Sequence, residues 1–291
     1  MTRLDHPAFA LPATVAGAVD ALTRRPGAAY VAGGTELMPD LSWGSARPAG
    51  FVSLRRVAGL RGVAAGDGVP AGVRVGATTT VAELGSTAGV PPGLARAAAS
   101  LGTPQVRTQA SVGGNVMSAL PYRNLLPVLL ATGASVELTG PDGVRVLPFD
   151  GFVTAPGRTR ALPGELLTAV LVPPAAGYQD YVKVGPRNAQ FVATASAAIA
   201  VDAAAGTARL GFGNAADVPL RLPAADEVAT QALAAGPAAA RAAAEELAGV
   251  VARGVDPPAD HVASAEYRRH ALGVLAGRLL ERAMGNGVDR G

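Results

Sequence analysis

Ala29-Tyr30-Val31-Ala32-Gly33-Gly34-Thr35-Glu36-Leu37 is the stretch from which the fold can be read. A short apolar strand runs directly into a glycine pair. Glycine lets the backbone turn sharply and places no Cβ in the way. Consecutive N–H groups of such a turn can converge on a phosphate, and the Thr35 hydroxyl adds a donor. The spacing is not that of the three-glycine dinucleotide fingerprint, and no P-loop lysine follows. Alone, the stretch reads as a strand-end turn. A second stretch, Ser111-Val112-Gly113-Gly114-Asn115, has the same character, with hydrogen-bonding residues flanking a glycine pair. It too reads alone as a turn. Two such loops in different lobes suit a long ligand whose pyrophosphate spans both.

Around these loops the chain alternates strands and helices. Thr14 is placed to cap a helix over Val15–Leu22, and Pro26-Gly27 stops it. Phe51–Leu54 reads as a strand. Val63–Ala65, Gly66-Asp67-Gly68 and Val73–Gly76 read as strand, turn and strand. Thr80 caps a short helix through Leu84, and Gly93–Leu101 is a second. The residues from Thr103 to Ser111 read as irregular. Leu125–Ala131 predicts a helix, Ala134–Leu138 a strand and Pro141-Asp142-Gly143 a turn. Beyond Pro173-Pro174-Ala175-Ala176-Gly177 the pattern changes. Three strands, Tyr178–Gly185, Ala193–Asp202 and Ala208–Gly213, precede three helices, Ala224–Leu233, Ala238–Val251 and Glu266–Ala283. The proline-rich stretch is therefore the expected boundary between domains 1–173 and 178–285.

Composition narrows the function. The 291 residues are 49% apolar and 16% charged, enough to bury a core. Aromatics are only 4%, so Ala, Val and Leu must fill it. The net charge is +3, with no dense Lys/Arg run, so nucleic acid is not the expected partner. Cysteine is absent, which removes disulfides, Cys-bound zinc and iron–sulfur clusters from this chain. The three histidines, His6, His261 and His270, are too scattered to form a metal site. The opening residues lack the apolar run of a leader, and no stretch is long and apolar enough to span a bilayer. A cytoplasmic protein without membrane insertion is expected. No carboxylates are paired for acid–base work, and no catalytic residue is assigned.

In their wider contexts the two loops resemble those of a known family. Ala32-Gly33-Gly34-Thr35-Glu36-Leu37-Met38-Pro39 is similar to the first flavin-binding loop of the molybdenum hydroxylase flavoproteins. The stretch from Thr103 through Ser111-Val112-Gly113-Gly114-Asn115 looks like their second. Ala119–Pro127 and Ser264-Ala265-Glu266-Tyr267-Arg268-Arg269-His270 continue the likeness, which runs from about Thr14 to Ala283. These are FAD-binding subunits of the xanthine dehydrogenase and carbon monoxide dehydrogenase type.

The resemblance implies an α+β fold. A two-lobed FAD-binding domain of the PCMH type, with a small βαβ lobe and a larger antiparallel lobe, would precede a C-terminal three-stranded antiparallel sheet with helices. It implies non-covalent FAD, with the pyrophosphate on backbone N–H groups of both loops. Leu101 matches an apolar flavin or adenine contact, and Asn124 a polar position that is often aspartate. Lys183 and Arg187 match basic residues near the isoalloxazine, or are solvated charges on a strand. Glu36 is placed to contact a ribose hydroxyl or to cap the following turn. The family often carries His-Ala-Asp-Pro where this chain has Ser118-Ala119-Leu120-Pro121, a departure that bears on the electron acceptor and partner. The leading expectation is an FAD-dependent oxidoreductase component working with iron–sulfur and molybdopterin subunits. A second is a stand-alone flavoenzyme with no such partners, in which Tyr122 or Arg123 faces a small organic substrate. A third is a flavin-binding scaffold. NAD, a quinone or oxygen would each serve as acceptor.

Overall fold

The structure is a computed structural model that describes residues 8–65, 72–187 and 191–285. The opening residues with His6, and the turn expected at Gly66-Asp67-Gly68, lie outside the described residues. The fold is α+β, with a two-lobed part followed by a sheet-and-helix part.

The small lobe is a parallel sheet of β1 (Ala8–Ala10), β2 (Ala28–Val31) and β3 (Gly50–Ser53), in the order β1-β3-β2. Helix α1 (Val15–Thr23) joins β1 to β2, and α2 (Leu37–Trp43) joins β2 to β3. Thr14 caps α1 by accepting from the Gly17 amide at 3.0 Å, satisfying a donor that has no partner inside the helix. Ala18 and Val19 of α1 bury against Val52 and Leu54.

The larger lobe carries β4 (Val63–Ala65), β5 (Val73–Gly76), β6 (Ser135–Gly140), β7 (Gly143–Pro148), the small hairpin β8 (Val153–Ala155) and β9 (Arg158–Thr159), and β10 (Leu166–Val172). Five of these strands form an antiparallel sheet in the order β4-β5-β10-β6-β7. Between β5 and β6 lie α3 (Val81–Ser86), α4 (Pro92–Ala99), α5 (Pro104–Arg107), α6 (Val112–Met117) and α7 (Leu125–Thr132). Thr80 and Glu83 form a reciprocal capping box on α3. Two expectations are corrected here. The segment after Thr103 is not irregular, because Thr103 caps α5 and Pro104 sits at its first position. The Ser111–Asn115 stretch is not a free loop, because Ser111 caps α6 and the glycines are its first turn.

The C-terminal part has β11 (Gln179–Val184), β12 (Ala195–Asp202) and β13 (Thr207–Gly213) in an antiparallel sheet, then α8 (Pro223–Ala235), α9 (Ala240–Gly254) and α10 (Ala265–Gly285). Alternate residues of its strands point to opposite faces. Tyr181 and Ala198 join the core of the larger lobe. Ala197, Ile199, Leu210 and Phe212 join a second core beneath the helices. Helices α4 and α7 pack on this sheet. A fully buried carboxylate, Asp180, links the parts. It pairs with Arg96 of α4 and with Arg282 of α10, and it accepts from the Tyr178 hydroxyl at 2.9 Å. Among the described residues no helix is long and apolar enough to cross a membrane.

Candidate functional site

A cleft of about 340 Å³ opens where the end of β2 faces the start of α6. Ala32, Gly33, Gly34, Thr35, Glu36 and Leu37 form one wall. Ser111, Gly114 and Asn115 form the other, and Leu101 closes an end with Val106. The two glycine stretches, separated by more than seventy residues in sequence, thus meet across one cavity.

The walls offer different chemistry. Among the described residues, the N–H groups from Ala32 to Leu37 have no hydrogen-bond acceptor. Helix α2 begins on the carbonyls of this segment, with Met38 N–H donating to Gly34 O at 2.9 Å. Such a run of uncommitted backbone donors suits an anion.

The second wall differs from the expectation of free donors. Val112 N–H donates to Thr79 O at 2.9 Å and Gly113 N–H to Ala77 O at 2.7 Å. Gly114 N–H donates to Ser111 Oγ at 3.1 Å and Asn115 N–H to Ser111 O at 3.0 Å. All four amides are committed, because the segment pairs with the extension of β5 (Thr80 bridges Ser111) before it turns helical. Its side chains face the cleft instead. Ser111 Oγ accepts from Gly114, which leaves its own O–H to donate. Asn115 is buried, and its Oδ1 has no hydrogen-bond partner. A buried acceptor without a partner in a cavity wall is suited to a ligand donor.

Val112 and Gly113 lie behind this wall, outside the cleft lining. Gly113 is glycine because a Cβ would sit 2.8 Å from the Ala77 Cβ and 2.9 Å from its carbonyl oxygen. The requirement comes from strand packing and not from a phosphate.

Glu36 forms an ion pair with Arg123 across the mouth of the cleft. It makes no capping bond to α2. Arg123 also donates to Ser118 Oγ at 2.8 Å and lies over the Tyr122 ring at 5.0 Å. Arg123 lines the cleft, whereas Tyr122 does not. Tyr30, Asp40, Met117 and Ser118 also line it. Sequence reasoning left these four unassigned, although Tyr30 and Asp40 flank the first loop closely enough to have been suspected. Burial pushes the Tyr30 phenol up to about 12, so it stays protonated at neutral pH.

Asn124 and Lys183 also lie outside the lining. Asn124 is buried and donates through Nδ2 to Ser100 Oγ at 3.1 Å and to Ala97 O at 3.4 Å. Lys183 Nζ donates to Ser100 O at 2.7 Å and lies 4.4 Å from the centre of the Phe191 ring. Neither is a solvated surface group, and both grip the end of α4. Arg187 is exposed on the bend after β11. Among the described residues no cluster of His, Asp or Glu is placed to hold a metal.

Comparison with known proteins identifies the family. Residues 5–175 match the family of the FAD binding domain in molybdopterin dehydrogenase, and residues 180–283 match the CO dehydrogenase flavoprotein C-terminal domain. The chain is 30% identical to a xanthine dehydrogenase FAD-binding subunit of Escherichia coli O157:H7, over 96% of this chain and 97% of the relative. It is 32% identical to the carbon monoxide dehydrogenase medium chain of Afipia carboxidovorans, over 94% of each. A crystal structure of Cu,Mo-CO dehydrogenase in its cyanide-inactivated form contains a chain that superimposes with a TM-score of 0.87 at 31% identity, covering 96% of this chain and 97% of that one. Matched through both halves and aligned to such relatives nearly end to end, the chain belongs to the family of FAD-binding subunits of the molybdenum hydroxylases.

Proposed function

We propose that the cleft between the two glycine stretches holds FAD non-covalently, and that the chain relays electrons between this flavin and a partner or acceptor. The observation that carries the reading is the uncommitted row of amides from Ala32 to Leu37 opposite Ser111 and the unpartnered Asn115 Oδ1. The amides and the Ser111 hydroxyl are donors that suit the pyrophosphate, whereas Asn115 Oδ1 is an acceptor that suits a donor group of the ligand. The first loop would supply the backbone donors, and the second a hydroxyl and an amide side chain. FAD, when bound, supplies one- and two-electron redox chemistry. The chain's own work is to bind, orient and shield it. The carboxylate nearest the first loop, Glu36, is engaged by Arg123 and is not poised as a base.

The electron donors in this reading are iron–sulfur and molybdopterin subunits encoded apart from this chain. The relatives support it, being named as medium chains and FAD-binding subunits of dehydrogenases. The absence of cysteine is consistent, since any iron–sulfur cluster that feeds the flavin must be held by another chain. A cytoplasmic setting belongs to the same reading. The division into domains 1–173 and 178–285 is part of it too, supported by the strand-free connection from β10 to β11.

The test is the visible spectrum of the chain purified alone, before and after incubation with FAD. A flavin spectrum that survives desalting and is released by denaturation is expected. A folded chain that stays colourless sinks the proposal. Anaerobic bleaching by an organic substrate, without partner subunits, would replace the subunit reading with a stand-alone flavoenzyme.

A further inference from the structure

Between α6 and α7 the chain makes a tight turn, residues 118–123, that carries two groups to the cleft. Ser118 and Arg123 both line it. Arg123 donates to Ser118 Oγ at 2.8 Å and pairs with Glu36 of the first loop, and its N–H donates to Leu120 O at 3.1 Å. The turn is strained. Ala119, fully buried, has a φ of +50°, where a Cβ crowds the following carbonyl oxygen. Among the described residues only Asn214 shares this left-handed region without being glycine, at a φ of +55°. The two strained residues are linked through Pro121, the buried proline of the turn. Asn214 directly follows β13, and its N–H donates to Pro121 O at 2.9 Å. A Cβ on the preceding Gly213 would lie 3.0 Å from the same oxygen, so bare backbone lets the turn rest on the sheet. Gly157, in the β8–β9 hairpin, donates its N–H to Ala119 O at 3.1 Å. Asn214 is itself held by its side chain, whose Nδ2 donates to Ala193 O at 2.7 Å and to Thr194 O at 3.2 Å. Strained backbone persists only where its surroundings over-determine it, and such places gather at ligand clamps.

We propose that Asn214 is a positioning residue of the cleft. Its left-handed backbone aims an N–H at Pro121 O and holds the turn where Arg123 reaches Glu36, so that the C-terminal sheet shapes the mouth of the cleft. The inference rests on the flavin reading above, since the mouth is taken to govern release of the cofactor. Asparagine suits the position because it tolerates left-handed backbone better than most side chains do, and its own amide bonds fix that conformation. The backbone N–H delivers the effect to the turn, and the side chain serves to set the backbone.

The experiment uses the full chain. FAD release is followed by stopped-flow fluorescence at low and high salt, and stability by urea unfolding. Asn214→Ala loses the side-chain bonds and disfavours the left-handed backbone. It should speed FAD release roughly 2–5-fold, as loss of the Glu36–Arg123 pair would, and release should no longer quicken with salt. Asn214→Gly loses the same side-chain bonds but adopts left-handed backbone freely. It should unfold at lower urea, yet release FAD at the wild-type rate and with the wild-type salt dependence. A residue that only holds the fold together would cost stability in both variants and leave release and its salt dependence alone, and that result overturns the inference. Equally fast release in both variants overturns it too, making the side chain the determinant. In an Arg123→Gln background Asn214→Ala should add little, because both act through one pair, and a full added effect overturns the inference. If Asn214→Ala does not fold, Gly213→Ala replaces it, since its Cβ presses on Pro121 O, and it must show the same salt signature. Wild-type chain that takes up no FAD overturns the flavin reading instead. The apo chain then decides: Asn214→Ala must speed amide exchange at Arg123 and Asn214→Gly must not, and any other pattern overturns the inference.

Discussion

A Cβ built on Gly33 would lie 1.8 Å from the carbonyl oxygen of Gln109. The first glycine loop therefore rests on the backbone that leads into the second, and the width of the cleft is set by that contact. Gly33→Ala must push the loops apart, since the obstacle is backbone and cannot swing away. We expect it to lose FAD on desalting while keeping both hydrophobic cores. Gly114→Ala should be milder, because its Cβ would meet only Ser111 Oγ at 3.0 Å. The flavin-to-protein absorbance ratio of the two variants checks this, and equal retention would show that the contact does not govern the cleft.

The Glu36–Arg123 pair straps the first loop to the segment after α6. Glu36 is half-exposed, so the pair is worth about 0.2–1 kcal/mol and weakens with salt. Glu36→Gln and Arg123→Gln should each speed FAD release by roughly 2–5-fold, and the double variant should be no worse than either. Stopped-flow release at low and high salt reads both effects. A much larger loss for Arg123→Gln alone would mean that Arg123 leaves Glu36 to take an anionic group of the ligand.

The order of elements was legible because its punctuation is chemical. Thr14, Thr80 and Pro141-Asp142-Gly143 mark the helix starts and the β6–β7 turn where the structure has them. Strand β10 was not legible. Leu166–Val172 is buried throughout at the centre of its sheet, so it shows no alternation to distinguish it from other apolar runs. The start of α6 was hidden for another reason. Gly113 and Gly114 disfavour helix, and the acceptors that hold Val112 and Gly113, on Thr79 and Ala77, are more than thirty residues away. The site was legible as two loops and a set of names. That Asn124 and Lys183 both bond Ser100 was not legible, because it lies 24 and 83 residues from them.

Lys183 also gives a pH signature with two opposite signs. Its amine titrates near 10.5 in the unfolded chain and about 8 in the folded one. Between these values the unfolded chain holds more protons, so stability rises with pH. The contribution is fully present above about 10.5 and is lost as the pH falls through about 8. Relative to Lys183→Met, the wild-type chain should therefore gain stability between pH 8 and 10.5, as measured by urea unfolding. FAD affinity should fall over the same window, because the charged donor to Ser100 is lost. Lys183→Arg should show neither trend, and parallel behaviour of arginine and lysine would remove the titration from the account.

Arg268 shows why the Tyr267-Arg268-Arg269 segment carries family likeness without touching the cleft. Arg268 is only 2% exposed. It donates to Thr194 O at 3.1 Å, to Pro258 O, and to Asp260 Oδ2 at 2.7 Å. It therefore pins α10 to the start of β12 and to the loop before α10. The Arg268 partnership holds the Asp260 carboxyl down at about 2. Arg268→Met removes the donor to Pro258 O, while Thr194 O keeps its bond from Asn214 Nδ2 at 3.2 Å, and we expect about 1–3 kcal/mol less stability in denaturant. Asp260→Asn should cost far less, because that carboxylate is partly in water and the carbonyl bonds survive. The FAD affinity of the folded fraction should be unchanged in both variants. A selective loss of affinity in Arg268→Met, with stability intact, would move this segment from the core to the site.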